Sequence, residues 1–181
     1  FGAMAASGTG KRKTPFEPQM AGFVKVFPPT YYRDRFASWE ECNRFCARMF
    51  EDVILLEDPE TVAGVIVEPI GNTGGIITPT DEYFQILREI CDKYNVLLIF
   101  DEIWQGLGRT GRWFSCEHFG VVPDILVTGK GLGGGIMPLA ALLANEKLDI
   151  AGDRALGHYT HEKSPVACAA ALATIEVIER E

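Results

Sequence analysis

Apolar residues in this chain come in two patterns, short continuous runs and stripes at helical spacing. Val62 to Val67, Val96 to Phe100, Asp124 to Thr128 and Leu139 to Ala144 are runs of strand length. Such runs, with little alternation, belong to strands covered on both faces. Asp81 to Tyr94 instead repeats Tyr83, Phe84, Leu87 and Ile90 at the period of an amphipathic helix. Upstream, Cys42, Phe45, Cys46, Met49 and Phe50 make a second stripe. Ser38 with Glu41 fits a capping box before it, which predicts a helix from about Trp39 to Glu51. Pro165 to Glu179 predicts a closing Ala-rich helix. Phe1 to Gly10 is small and Gly/Ala-rich, and Lys11 to Arg35 mixes prolines, aromatics and charges without a helical period, which predicts an extended surface stretch.

Strands alternating with helices predict an α/β fold with a mostly parallel sheet and helices on both faces. The Leu139 run follows its predecessor too closely for a helical crossover, so one antiparallel pair is expected. In parallel sheets the ligand crevice lies at the carboxyl ends of the strands. Those ends carry Glu68, Asp101 and Lys130.

The chain has 181 residues, enough for one compact α/β unit. Its net charge of -8 opposes a general grip on nucleic acid or on an anionic membrane, and Lys11-Arg12-Lys13 is too short to reverse that. Five scattered cysteines without a C-x-x-C pair fit reduced thiols in the cytoplasm. No run approaches the roughly 20 apolar residues of a membrane span, and the first residues lack the basic start of a secretory signal. The chain begins at Phe1 rather than Met and reads as a segment of something longer.

Lys130, flanked by Gly129 and Gly131 at a strand end, is placed as an amine that attacks an aldehyde would be, although an ordinary solvent-facing lysine has the same signature. Asp101 can pair with a protonated ring nitrogen or cap the following turn. A P-loop reading of Gly8 to Thr14 fails because Arg12 follows the lysine where Ser or Thr is needed. A metal reading of His158, His161 and Glu162 matches neither zinc-protease order, so no metal is expected.

Five blocks taken together are more specific. Val67-Glu-Pro-Ile with Gly74-Gly75, Phe100-Asp-Glu-Ile with Gly106-Leu-Gly-Arg-Thr-Gly111, and Pro123-Asp-Ile with Gly129-Lys130 are the first three. Gly133-Gly-Gly with Pro138-Leu139, and Ser164 to Ala173, complete the set. In this order and spacing the chain resembles the class III, or ω-amino, aminotransferases of pyridoxal phosphate (PLP) fold type I.

The resemblance implies that residues 1–181 are the central part of a PLP-binding large domain, with the small-domain segments absent. It implies amino transfer between an amine or amino acid and a 2-oxo acid, in a homodimer with shared sites. Lys130 then forms the Schiff base and shuttles the proton, Asp101 pairs with the pyridine nitrogen, and Ile103 packs beneath the ring. Thr160 binds the cofactor phosphate of the neighbouring subunit, and Glu68 supports the cofactor by a hydrogen bond. Trp104 stands where many members have a Gln that bonds the cofactor's phenolic oxygen, and its indole N–H can donate there. Thr73 replaces the acid that commonly pairs with a gating arginine. Thr160-His161 is similar to the dialkylglycine decarboxylase branch, so decarboxylation, (phospho)lyase chemistry, or a catalytically incompetent fragment are the alternatives.

Overall fold

Four strands form one sheet in the order β1 (Gly64–Val67), β2 (Leu97–Asp101), β3 (Ile125–Thr128) and β4 (Ala141–Ala144). The first three run parallel, and β4 returns antiparallel beside β3, with Thr128 opposite Ala141. The computed structural model describes every residue except Arg33, Leu156 and His158. The predicted runs became strands with their first residues trimmed, and the expected antiparallel pair is present.

The amino-terminal stretch is not extended throughout. It contains α1 (Gly2–Ala6), α2 (Gly10–Lys13) and a 3-10 turn at Thr14–Phe16. A helix of one turn is too short to display an apolar period, and the burial of Ala5 holds α1 in place. The next helix, α3 (Trp39–Leu56), runs beyond Glu51 because the apolar stripe continues to buried Ile54. Ser38 Oγ accepts the Glu41 N–H at 3.1 Å, while the Glu41 carboxylate accepts from Ala37 N–H at 2.8 Å instead of from Ser38. α4 (Asp81–Tyr94) has the predicted bounds, with Thr80 as its cap and Asn95 in the left-handed region at its end. Buried Asn43 accepts the Thr80 N–H at 3.0 Å and so joins α3 to the start of α4. A single turn, α5 (Cys116–Phe119), precedes β3, and α6 (Pro165–Arg180) closes the chain.

The core lies on one face of the sheet. Val65 is opposite Leu98, and Val67, Phe100 and Leu126 form the next row. Phe84 of α4 packs on that row, its ring 5.5 Å from Phe100 and 4.4 Å from Phe119. The other face carries Ile66, Ile99 and Ile125 in one row. Ile66 keeps 46% of its surface exposed, so this chain supplies only part of the expected second layer. All four residues of β4 are exposed as well.

At the amino-terminal edge Asp124 ties the strands together. Its carboxylate accepts from Leu98 N–H and from Arg88, both at 2.9 Å, and Lys147 lies 3.5 Å away. Burial raises the Asp124 pKa, but the Leu98 amide and the Arg88 guanidinium outweigh it and hold the carboxyl below its ordinary value. With that edge fixed, the opposite edge is free for chemistry.

Candidate active site

Parallel pairing brings the carboxyl ends of β1, β2 and β3 to one edge. Glu68 follows the last residue of β1, Asp101 is the last of β2, and Lys130 comes two residues after β3. A cleft of about 610 Å³ opens there. Glu68, Asp101, Thr73 and Ile66 line one side, and Lys25 and Phe27 of the amino-terminal segment line the other. Lys130 stands outside that lining, on the neighbouring strand end.

Period-two alternation directs Asp101 to the partly covered face, in line with Ile99. Its Oδ1 accepts the Ile103 N–H at 3.1 Å, which is the turn-capping role. The second carboxylate oxygen has no protein partner among the described residues, so capping and ligand binding are compatible. The Asp101 carbonyl accepts from Gln105 Nε2 at 2.8 Å.

Glu102 points the other way and is fully buried. Its two oxygens accept from Ser115 N–H and Cys116 N–H, each at 2.8 Å. Burial, with the Glu102 charge nearby, pushes the Cys116 thiol up to about 12. Gly106 N–H donates to the Glu102 carbonyl at 3.0 Å. A Cβ on Gly106 would sit 2.9 Å from that carbonyl and 3.2 Å from the Phe114 ring. Only glycine closes this turn, and the segment 101–106 is therefore held from several sides.

Trp104 Nε1 donates to the Ile70 carbonyl at 3.0 Å. The indole N–H expected to be available to a cofactor is thus committed to the loop after β1. Ile103 Cγ2 lies 3.5 Å from where a Cβ on Gly129 would be, which sets Ile103 against the turn leading to Lys130. Lys130 is exposed and has φ 41°, a conformation L-residues seldom adopt. Such an outlier at a strand end marks a place where the surrounding turn dictates the backbone. Among the described residues, no ion pair engages Lys130, Asp101 or Glu68.

Glu68 is exposed and accepts the Asn72 N–H at 2.7 Å, closing the loop that Gly71 and Ile77 then bridge. Thr160 lies in an exposed turn and shares no hydrogen bond with the other predicted residues in the described set. Of the histidines weighed as metal ligands, His158 lies outside the described residues. Among the described ones no group of three His, Cys, Asp or Glu comes together for a metal. The structure thus puts Asp101, Ile103 and Trp104 in the turn after β2, sets Ile103 against Gly129 of the turn after β3 that carries Lys130, ties Trp104 to the loop that Glu68 begins, and leaves Thr160 apart. Sequence reasoning missed Glu102 and Gln105. Counting the strand alternation one residue further would have sent Glu102 to the core side, whereas nothing in the pattern marks Gln105.

The family model described as "Aminotransferase class-III" matches residues 1–181. Among curated relatives, the (R)-1-hydroxy-2-aminoethylphosphonate ammonia-lyase of Vibrio splendidus is 41% identical over 99% of this chain and 40% of its own length. The taurine–pyruvate aminotransferase of Bilophila wadsworthia is 40% identical over 100% of this chain and 41% of its own. Among solved structures, an (S)-enantioselective ω-transaminase from Thermomicrobium roseum superposes with a TM-score of 0.90 at 32% identity, covering 99% of this chain and 41% of that one. A PLP-bound amine transaminase from an uncultivated Pseudomonas species gives 0.91 at 33% identity, covering 99% and 42%. The chain therefore spans about two fifths of the length of the relatives it matches.

Proposed function

We propose, on the premise that this chain belongs to the class III aminotransferase family, that its parent protein transfers an amino group between an amine or amino acid and a 2-oxo acid with pyridoxal phosphate. The observation that carries this reading is the placement, at neighbouring strand ends, of an amine without an ion-pair partner and a carboxylate with one open oxygen among the described residues. A ring nitrogen needs a fixed acid with an open oxygen, and an aldehyde needs an amine without an ion-pair partner. Asp101 and Lys130 meet those requirements, so the residues present fit the cofactor.

In this reading Lys130 Nζ holds the cofactor's aldehyde carbon and later carries the proton at the substrate's α-carbon. Asp101 holds a proton on the pyridine nitrogen, which makes the bound ring an electron sink. Ile103 packs beneath the ring and Glu68 supports the loop beside it. Trp104 walls the site and braces it through Ile70, rather than donating to the phenolic oxygen. Thr160 serves the phosphate of the neighbouring subunit in a homodimer, which accords with its exposure and its separation from the other residues. Residues 1–181 form the central part of the PLP-binding large domain, supported by the two-fifths coverage of the relatives.

Among the described residues no helix is long and apolar enough to cross a membrane. All five cysteines are free, which supports a reducing compartment such as the cytoplasm. A second reading, elimination of ammonia, is favoured by the Vibrio relative.

The test uses the full-length protein loaded with PLP. An absorbance band above about 400 nm that borohydride abolishes, and that Lys130→Ala lacks, is the expected result. Absence of the band in the unmodified protein would end the PLP reading. Taurine and (R)-1-hydroxy-2-aminoethylphosphonate, the compounds named in the two relatives, are the first donors to assay. Turnover that needs a keto acid supports transfer, and ammonia release without one supports elimination.

A further inference from the structure

We propose that Gln105 is a positioning residue, whose side-chain amide sets the main chain at Asp101 and so the angle at which the Asp101 carboxylate meets the cofactor ring. The inference rests on the reading of Asp101 as the acid facing that ring. It begins from the strand register. Gly64 is paired with Leu97, and Leu97 N–H donates to the Ala63 carbonyl. Continued along the parallel ladder in steps of two, this pattern assigns the Asp101 carbonyl to the N–H of residue 69. Residue 69 is Pro69, which has no N–H.

Gln105 supplies the missing donor, with Nε2 2.8 Å from the Asp101 carbonyl. The same peptide plane carries the Glu102 N–H, which donates to the Val127 carbonyl at 2.8 Å. The plane that leads out of Asp101 is therefore pinned from both sides, by β3 through its N–H and by Gln105 through its C=O. Without the second anchor the plane can rotate about the Asp101 Cα–C bond, and the Oδ1 contact with Ile103 N–H at 3.1 Å rotates with it.

Gln105 is fully buried, and its Oε1 has no partner among the described residues. A buried amide with one end unsatisfied is a poor choice for packing alone. Its useful end is the one that reaches Asp101. Ser115 Oγ and Thr128 Oγ1 are buried and unpartnered too, yet neither bonds the Asp101 main chain. They provide the contrast for a test.

The experiment compares the full-length PLP-loaded protein with Gln105→Met, Gln105→Leu, Asp101→Asn and Ser115→Ala variants. Two quantities are read, PLP affinity by equilibrium dialysis and the pH midpoint of the visible band of the bound cofactor. Gln105→Met, or Gln105→Leu should the first not fold, is expected to weaken PLP binding about three- to tenfold, as for loss of one hydrogen bond. It also moves the midpoint in the same direction as Asp101→Asn. Ser115→Ala alters melting temperature alone. A folded Gln105 variant with unchanged affinity and midpoint, beside an Asp101→Asn variant that shifts both, would overturn the inference while leaving Asp101 in its role. If Asp101→Asn itself shifts neither, the reading of Asp101 falls and this inference with it.

Discussion

Asp101 and Glu102 are neighbours in the chain, yet their carboxylates leave the end of β2 toward opposite faces of the sheet. Asp101 turns to the open face with one oxygen unpartnered among the described residues, and Glu102 turns inward to receive the Ser115 and Cys116 N–H groups. One acid is placed for a ligand and the other for the fold.

Their substitution should separate the two roles. Glu102→Ala strands two buried N–H donors and is expected to cost about 2–4 kcal/mol. Asp101→Asn, at a partly buried position, should cost less than about 1 kcal/mol but weaken PLP retention. Urea unfolding of both full-length variants, beside their visible spectra, checks the contrast. Equal destabilisation by both would contradict it.

Asp124 predicts a stability profile in acid. Its pKa is lower in the folded state than in the unfolded chain, so its contribution is complete above the ordinary carboxylate value of about 4. That contribution is lost as pH falls through the folded value. Asp124→Asn should therefore lower stability at pH 7 and flatten the acid limb of a melting-temperature profile. A variant profile parallel to wild type at every pH would show that Asp124 does not control this edge.

Trp104→Phe keeps an aromatic ring and deletes the bond to Ile70. Loss of one such bond is worth about 1 kcal/mol, or roughly a fivefold rise in local opening. Faster amide exchange in residues 68–77, with the core helix α4 unchanged, is the expected outcome of hydrogen–deuterium exchange. Unaltered exchange in that loop would mean the indole braces nothing.

The shared-site reading of Thr160 makes a prediction about mixed dimers. Lys130→Ala and Thr160→Val subunits, each impaired alone, should regain roughly a quarter of wild-type turnover after mixing and reassociation, because half the heterodimer's sites are then intact. If Thr160 served its own subunit, mixing would restore nothing.

Much of this was written in the chain. The α4 stripe and the apolar runs carry their own periods, and Thr80 and Asn95 supply local start and stop signals, so these elements were readable residue by residue. The short helices α1 and α2 were not, because a single turn shows no period. The second layer over Ile66 was expected from continuous apolar runs, which record that a strand is covered and not which segment covers it.

Local pattern alone puts Glu68, Asp101 and Lys130 at strand ends, since a hydrophobic run must stop where the chain leaves the sheet. Parallel register then decided what each neighbour does. It set the loop after β1 beside the end of β2, where Trp104 bonds Ile70, and left the Asp101 carbonyl facing a proline with no N–H to give. Those outcomes depend on which backbone groups meet across strands, a relation between distant residues that no local pattern records.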